Sequence, residues 1–440
     1  MFHHLLSRIH LRHIVATLAL ITISWMAPAQ AAKYEVWLVD QSNSPGKTYG
    51  GAIHIYEGSD LHGEALTSAA PISVIDLGAG AATLCFNSTG ANPVRPHMVL
   101  FNSTHSHAVL SFVVSGHVLI LDAATRTPLA CFQTAPGVGG ARQAHAAFPA
   151  PDDSYILVAN QNGKQLERIL TDYTTNTFTY DAAATRSLTA CMTPNGVPCE
   201  AAGVRPDNAP ICPIIDSTSQ LGFVTLRGGG MFVVDATTSP ISILAEYDMV
   251  TVHGNGCGGA EVGGSMYVNS GGGTPANLSE FDVYRFPLAG YSAANPPNTP
   301  APVLLYSDDA TPDRDSHGMV LSRHGRYVWV ADRDLDVIEV FDTATGNRVN
   351  TINLQGFTAD LSLDLGDISP SGHRVFFATR GPNPLSGDPH ASIGDLPGVA
   401  VIQVEQGGRH GTFKGVVRIS NVDAGGIERA DGHGLRVRRK

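Results

Sequence analysis

The sequence predicts an all-β fold built from a repeated four-stranded antiparallel unit, and three observations predict it. Apolar runs such as "YVWVAD" (327–332) and "YILVAN" (155–160) are bounded by Gly, Asp and Asn, the pattern of short strands joined in hairpins. Gly (47) and Pro (27) are plentiful while only 15% of the 440 residues are charged, which suits tight turns and disfavours surface-charged helices. The chain also repeats itself. "HMVLFNSTHSHAVLSFVVSGHVLILDAAT" (97–125) lies under "HGMVLSRHGRYVWVADRDLDVIEVFDTAT" (317–345) without a gap, so His97 meets His317 and Asp122 meets Asp342. A four-stranded unit recurring every roughly forty to sixty residues is a propeller blade.

The blades follow in chain order. "YEVWLVDQ", "GGAIHIYEG" and "ISVIDLG" supply strands of the first, and 97–125 opens the second. "HAAFPAPDDSYILVAN" (145–160) opens the third, with His145 and Tyr155 spaced as His317 and Tyr327 are. "CPIIDSTSQLGFVTLRGGGMFVVDATT" (212–238) opens the fourth, aligning Cys212 with the leading His. "HGNGCGGAEVGGSMYVNSGGG" (253–273) opens the fifth and needs roughly two extra residues before its second strand. The sixth is 317–345, and "DLGDISPSGHRVFFATR" (364–380) opens the seventh with Asp364 at the leading position. The chain ends on "RADGHGLRVRRK", a blade phrase begun and not finished. An open array of sheets leaves strand edges that invite aggregation. The unfinished strand is therefore expected to be the innermost strand of the first blade. The expected fold is a seven-bladed β-propeller of four-stranded antiparallel blades over 32–440, closed by pairing the C-terminal strand with the N-terminal blade.

Residues 1–31 read as a signal peptide. Arg8 and Arg12 precede the apolar "IVATLALITISWM", and Ala29-Gln30-Ala31 offers a cleavage site. The apolar stretch is short for a membrane span, so a soluble, periplasmic or secreted bacterial protein is expected, with no membrane span after cleavage. Export permits disulfides. Cys191 and Cys199, flanking "MTPNGVP", are the easiest pair to propose, and the other four cysteines leave their connectivity open. A formal net charge of −11 argues against nucleic acid, which needs a basic face to displace counterions.

Through "YVWVAD", "YILVAN" and the D-x-A-T-G turn at 342–346, the blade consensus resembles the YVTN/YncE-like seven-bladed propellers. The resemblance covers most of the chain after residue 31. Its motifs are structural, so it implies the fold and leaves the chemistry to be argued from the site.

Innermost strands line a propeller's channel, so residues at one position of each form a ring about one axis. Read at that position, the alignment gives His433, His97, His145, Cys212, His253, His317 and Asp364. Five of the seven are histidine, in a chain with 18 histidines among 440 residues. Inheritance of one ancestral turn-capping His explains the pattern without a ligand. Against that, imidazole is an odd lining for a channel, and imidazole with thiolate suits copper, iron or zinc. The expected cofactor is therefore a transition metal ion held by some of these seven residues. Cys212 carries two readings of equal standing, metal ligand or disulfide partner of Cys257. Asp364 has a plain alternative in a backbone hydrogen bond. Asp315 and Asp431, two residues before ring histidines, are either carboxylates that orient an imidazole or turn formers. His105, His107, His324 and His373 fall on first-hairpin turns and are expected to be exposed. His390 lies in a Pro/Gly-rich insertion over 381–397 to which no role is assigned.

Two functions follow as expectations. One is an exported, monomeric metalloprotein, in the sense of a metal-dependent oxidoreductase, acting on an unidentified small molecule, with no catalytic residue assigned. The other is a non-enzymatic scaffold binding a protein partner, without metal. A calcium-dependent lactonase ranks below both, because His dominates where oxygen ligands would be needed. No nucleophile elbow, phosphate loop or HExxH motif is present.

Overall fold

A computed structural model describes residues 33–272, 279–354, 359–385 and 393–440. The expected signal peptide, His390 and part of the 381–397 insertion lie outside the described residues. Seven four-stranded antiparallel sheets are present among the described residues, each with its strands in chain order except the first. Their innermost strands contact one another in sequence around a ring. The sheets are the blades of a propeller, as the sequence repeat predicts.

Closure works as the unfinished phrase requires. The last strand, Gly432–Arg439, pairs antiparallel with Tyr34–Asp40 and forms the inner edge of blade 1. Gln41 N–H donates to Asp431 O at 2.8 Å, and Asp431 N–H donates to Asp40 Oδ1 at 3.0 Å. Both faces of each blade are covered by a neighbouring blade, so the apolar core is divided among the inter-blade spaces. Between blades 7 and 1, Phe376 and Val401 pack with Val36, Leu38 and Leu435. Trp37 and Trp329 are fully buried in two further spaces.

The turns explain why the repeat survives in sequence. Asp122 Oδ1 accepts the N–H groups of Ala124 and Thr125 at 2.9 and 2.7 Å, and Asp342 does the same for Ala344 and Thr345. Such Asx turns add a side-chain clasp to the backbone hydrogen bonds, Arg126 N–H to Asp122 O and Gly346 N–H to Asp342 O, that close the hairpin between third and fourth strands.

All six cysteines are paired, as Cys85–Cys131, Cys191–Cys199 and Cys212–Cys257. The first staples blade 2 to the helix before it, and the last joins blades 4 and 5.

Candidate metal centre in the channel

Backbone irregularity sets which side chains enter the channel. In six blades the first two strands pair with a one-residue surplus on the inner strand. Ser316–Met319 lies opposite Val330–Asp332, and the same offset recurs at Gly432–Leu435, 96–99, 144–147, 210–213 and 363–366. A bulge of this kind bends the strand and re-aims the residue it carries. The second residue of each surplus is His433, His97, His145, Ile211, His317 and Asp364. In blade 5, Gly259 pairs with Val268, which puts Cys257 at the equivalent place.

Two of the expected ring residues are thereby displaced. Cys212 stands one residue past the ring position, which Ile211 occupies, and its sulfur is bonded to Cys257. A disulfide sulfur carries no thiolate charge, so Cys212 leaves the ligand set in this state. His253 lies in the loop before the inner strand of blade 5, six residues ahead of Gly259. The first hairpin of that blade turns on Gly263-Gly264, both at positive φ. A two-residue turn of this type shortens the hairpin, so the blade needs fewer residues where the alignment supplied more.

The other five come together. Asp364 Oδ1 lies 3.1 Å from His317 Nε2 and 3.4 Å from His433 Nε2. The three residues are 0%, 5% and 2% exposed, and their donor atoms fall within 4.8 Å of one another. His433 Nδ1–H donates to the carbonyl of His97 at 3.0 Å, so Nε2 presents its lone pair to the carboxylate. Asp364 Oδ1 and both nitrogens of His317 lack a well-aligned hydrogen bond, although His317 Nε2 stands near enough to Asp364 Oδ1 to donate when it carries the ring proton. His433 Nε2 and Asp364 Oδ1 are thus two buried acceptors facing each other, an arrangement that costs free energy unless the ring proton of His317 or a cation is shared with them. Ligands at about 2.0–2.2 Å from one ion stand about 2.9–3.5 Å apart for right-angled to tetrahedral geometry. The two observed separations fall in that interval.

His97 stacks on His433, with ring centroids 3.6 Å apart. A directional chain fixes its tautomer. Arg380 Nη2 donates to Gln41 Oε1 at 3.4 Å, and Gln41 Nε2 donates to His97 Nδ1 at 3.2 Å. His97 Nε2–H then donates to His145 Nε2 at 3.3 Å, and His145 Nδ1–H to Ile211 O at 3.0 Å. Burial keeps His97 and His433 well below the ordinary imidazole pKa and brings His145 down to about 3. All three are neutral at pH 7, the form that binds metals.

Behind the imidazoles runs a buried chain of alternating charges. Arg380 holds both oxygens of Asp431 at 2.7 and 2.8 Å and reaches Asp364 Oδ2 at 2.8 Å. Arg333 Nε donates to Asp315 Oδ2 at 2.5 Å, and its Nη1 stands 3.8 Å from Asp364 Oδ2. Burial raises the Asp364 carboxyl, but the surrounding donors and the Arg380 guanidinium outweigh it and hold the group well below its ordinary range. Burial lifts Asp315 to about 7. Asp315 and Asp431 thus anchor arginines, not imidazoles. Gln41, Arg333 and Arg380 are site residues that reading the sequence missed. Both arginines stand sixteen positions after a ring residue, His317 and Asp364, a regularity that the repeat already carried.

His253 belongs to a separate cluster. Its Nδ1–H donates to Asp282 Oδ2 at 2.6 Å, with Glu280 Oε1 at 3.5 Å. Tyr284 also donates to Asp282, at 2.9 Å. The Asp282 hydrogen bond raises His253 to about 9, so it is protonated at pH 7. Among the turn histidines, His324 and His373 are exposed and His105 is half-buried. His107, expected at the surface, is buried and bonded to Ser106 and Asn176.

No protein-family model and no curated protein matches the chain. Solved structures do resemble it. The periplasmic gluconolactonase of Pseudomonas aeruginosa superposes with a TM-score of 0.56 at 14% identity, covering 92% of this chain and 99% of that one. A Bacteroides fragilis protein assigned as a 6-phosphogluconolactonase gives 0.53 at 12% identity, covering 92% and 98%. At such identities the likeness is one of fold. The chain is a seven-bladed β-propeller, and among its described residues two imidazoles and a carboxylate converge inside the ring.

Proposed function

We propose that this protein is an exported metalloprotein that holds one transition metal ion through His317, Asp364 and His433, and that it is a metal-dependent oxidoreductase. The observation carrying the reading is the convergence of Asp364 Oδ1 with the Nε2 atoms of His317 and His433, at 3.1 and 3.4 Å, in a fully buried site. Two imidazoles and one carboxylate form the donor set of non-haem iron and catalytic zinc sites, and with no thiolate among them iron and zinc are favoured over copper(I). Such a site leaves coordination positions open for a substrate. His433 and His317 would be oriented by backbone and packing, and Asp364 by Arg380, whose bond to Oδ2 leaves Oδ1 turned to the ion. Three disulfides favour an oxidising compartment. Among the described residues no helix is long and apolar enough to cross a membrane. The blade motifs support a YVTN/YncE-like affiliation.

One observation favours the scaffold reading. Val250, Met192 and Val422 are 78%, 61% and 57% exposed, all on loops that lead into inner strands, and a contiguous apolar patch built from such side chains would mark a partner surface.

Metal analysis of protein purified without a histidine tag separates the two. About one equivalent of iron or zinc is expected. It should fall to background in His317→Ala/His433→Ala while the far-ultraviolet circular dichroism persists, because the blade cores lie elsewhere. Substoichiometric metal in the parent protein, or metal retained by the double variant, contradicts the proposal.

A further inference from the structure

We infer that the Cys212–Cys257 disulfide masks a second metal site, which its reduction would open with His145 as the third ligand. Blades 4 and 5 alone contribute no imidazole or carboxylate at the ring. In their place stands a cystine, lying between His145 of blade 3 and His317 of blade 6 in ring order. His145 and both sulfurs offer donor atoms within 4.8 Å of one another.

Two features prepare the site. The first is the tautomer of His145. Its Nδ1–H donates to Ile211 O at 3.0 Å, so Nε2 carries the lone pair, and the carbonyl that fixes the ring belongs to the residue before Cys212. A carbonyl on the remote nitrogen is the usual way a metal-binding imidazole is oriented. The second is a framework that does not depend on the S–S bond. Thr225 Oγ1 accepts the N–H of Cys212 at 3.1 Å and donates to Gly256 O at 2.5 Å, so one side chain holds the backbones of both cysteines. Their Cα atoms are 5.1 Å apart. His97 Nε2–H, which donates to His145 Nε2 at 3.3 Å, gives up that hydrogen bond when His145 binds an ion.

The chemistry balances with a dithiol as reductant. The Sγ–Sγ bond breaks as the dithiol passes two electrons and two protons to the sulfurs and becomes a disulfide itself. A soft or borderline metal ion then binds, and the two thiols release their protons as thiolates coordinate. One nitrogen and two sulfurs suit a soft or borderline ion such as zinc, cadmium or copper(I).

The inference rests on the ring being competent to hold metal, and the test is built so that the two ideas fail separately. In full-length protein carrying His317→Ala/His433→Ala and Cys191→Ser/Cys199→Ser, the first site and the loop disulfide are both absent. Cadmium is titrated before and after mild phosphine reduction, following thiolate-to-cadmium absorption, with alkylation and mass mapping to report which cysteines are free. The expected result is no absorption before reduction and about one equivalent bound after it, lost on adding Cys212→Ser. His145→Gln should weaken binding at least tenfold while the reduced protein keeps its circular dichroism. Free Cys212 and Cys257 thiols without cadmium absorption would overturn the inference. So would binding indifferent to His145→Gln, or a disulfide that resists reduction until the protein unfolds.

Discussion

Replacing Arg380 with methionine is expected to destabilise the protein by about 3–5 kcal/mol, the range for removing one partner from a buried ion pair. Arg380 is 1% exposed and joins Asp431 to Asp364 through three hydrogen bonds of 2.7–2.8 Å. Without it, Asp364 keeps only the guanidinium of Arg333, 3.8 Å away, and Asp431 only the charge of Arg95. The loss comes from their uncompensated charge more than from the bonds themselves. For a chain of this size the shift in thermal midpoint should be about 4–6 °C. Adding Asp431→Asn to Arg380→Met should recover part of it, because one orphaned charge is then removed. A single variant that melts with the parent protein would mean that Asp364 and Asp431 do not depend on Arg380.

Ending the chain at Asp431 should abolish the folded state. The deleted strand supplies the inner edge of blade 1 and buries Leu435 and Val437, at 1% and 3% exposure, against blades 7 and 1. Each such side chain is worth about 1.5–3 kcal/mol of burial. Deletion also bares the pairing edge of Tyr34–Asp40 inside an opened ring. Loss of near-ultraviolet circular dichroism and aggregation on gel filtration are expected, with partial rescue by a peptide spanning 431–440. Cooperative melting of the truncated chain within a few degrees of the parent would show that closure lies elsewhere.

The architecture was legible in sequence because blades are local. Strand alternation, Asp-led turns and gap-free repeats such as 97–125 under 317–345 need no information beyond the chain itself. The unfinished "DGHGLRV" was legible for the same reason, since closure follows from edge chemistry. The ring was legible only where hairpin length was constant. His97, His145, His317 and Asp364 share their spacing to the next strand, and His433 was found through the phrase that repeats the start of the sixth blade. Cys212 was off by one residue, and the bulge register, which no apolar pattern reports, assigns Ile211. His253 was misplaced by the short Gly263-Gly264 turn. The charges behind the ring were hidden for another reason. Arg333 and Arg380 follow strands whose apolar pattern is complete without them, so nothing local marks them as buried. Only their common spacing from His317 and Asp364 does.

Anomalous scattering from crystals of metal-replete protein, measured at the iron and zinc edges, tests the metal centre most directly. A single strong peak about 2.0–2.2 Å from His317 Nε2, Asp364 Oδ1 and His433 Nε2 is the predicted result. An ordered channel with no peak at that point, while those three side chains keep their separations, would contradict it.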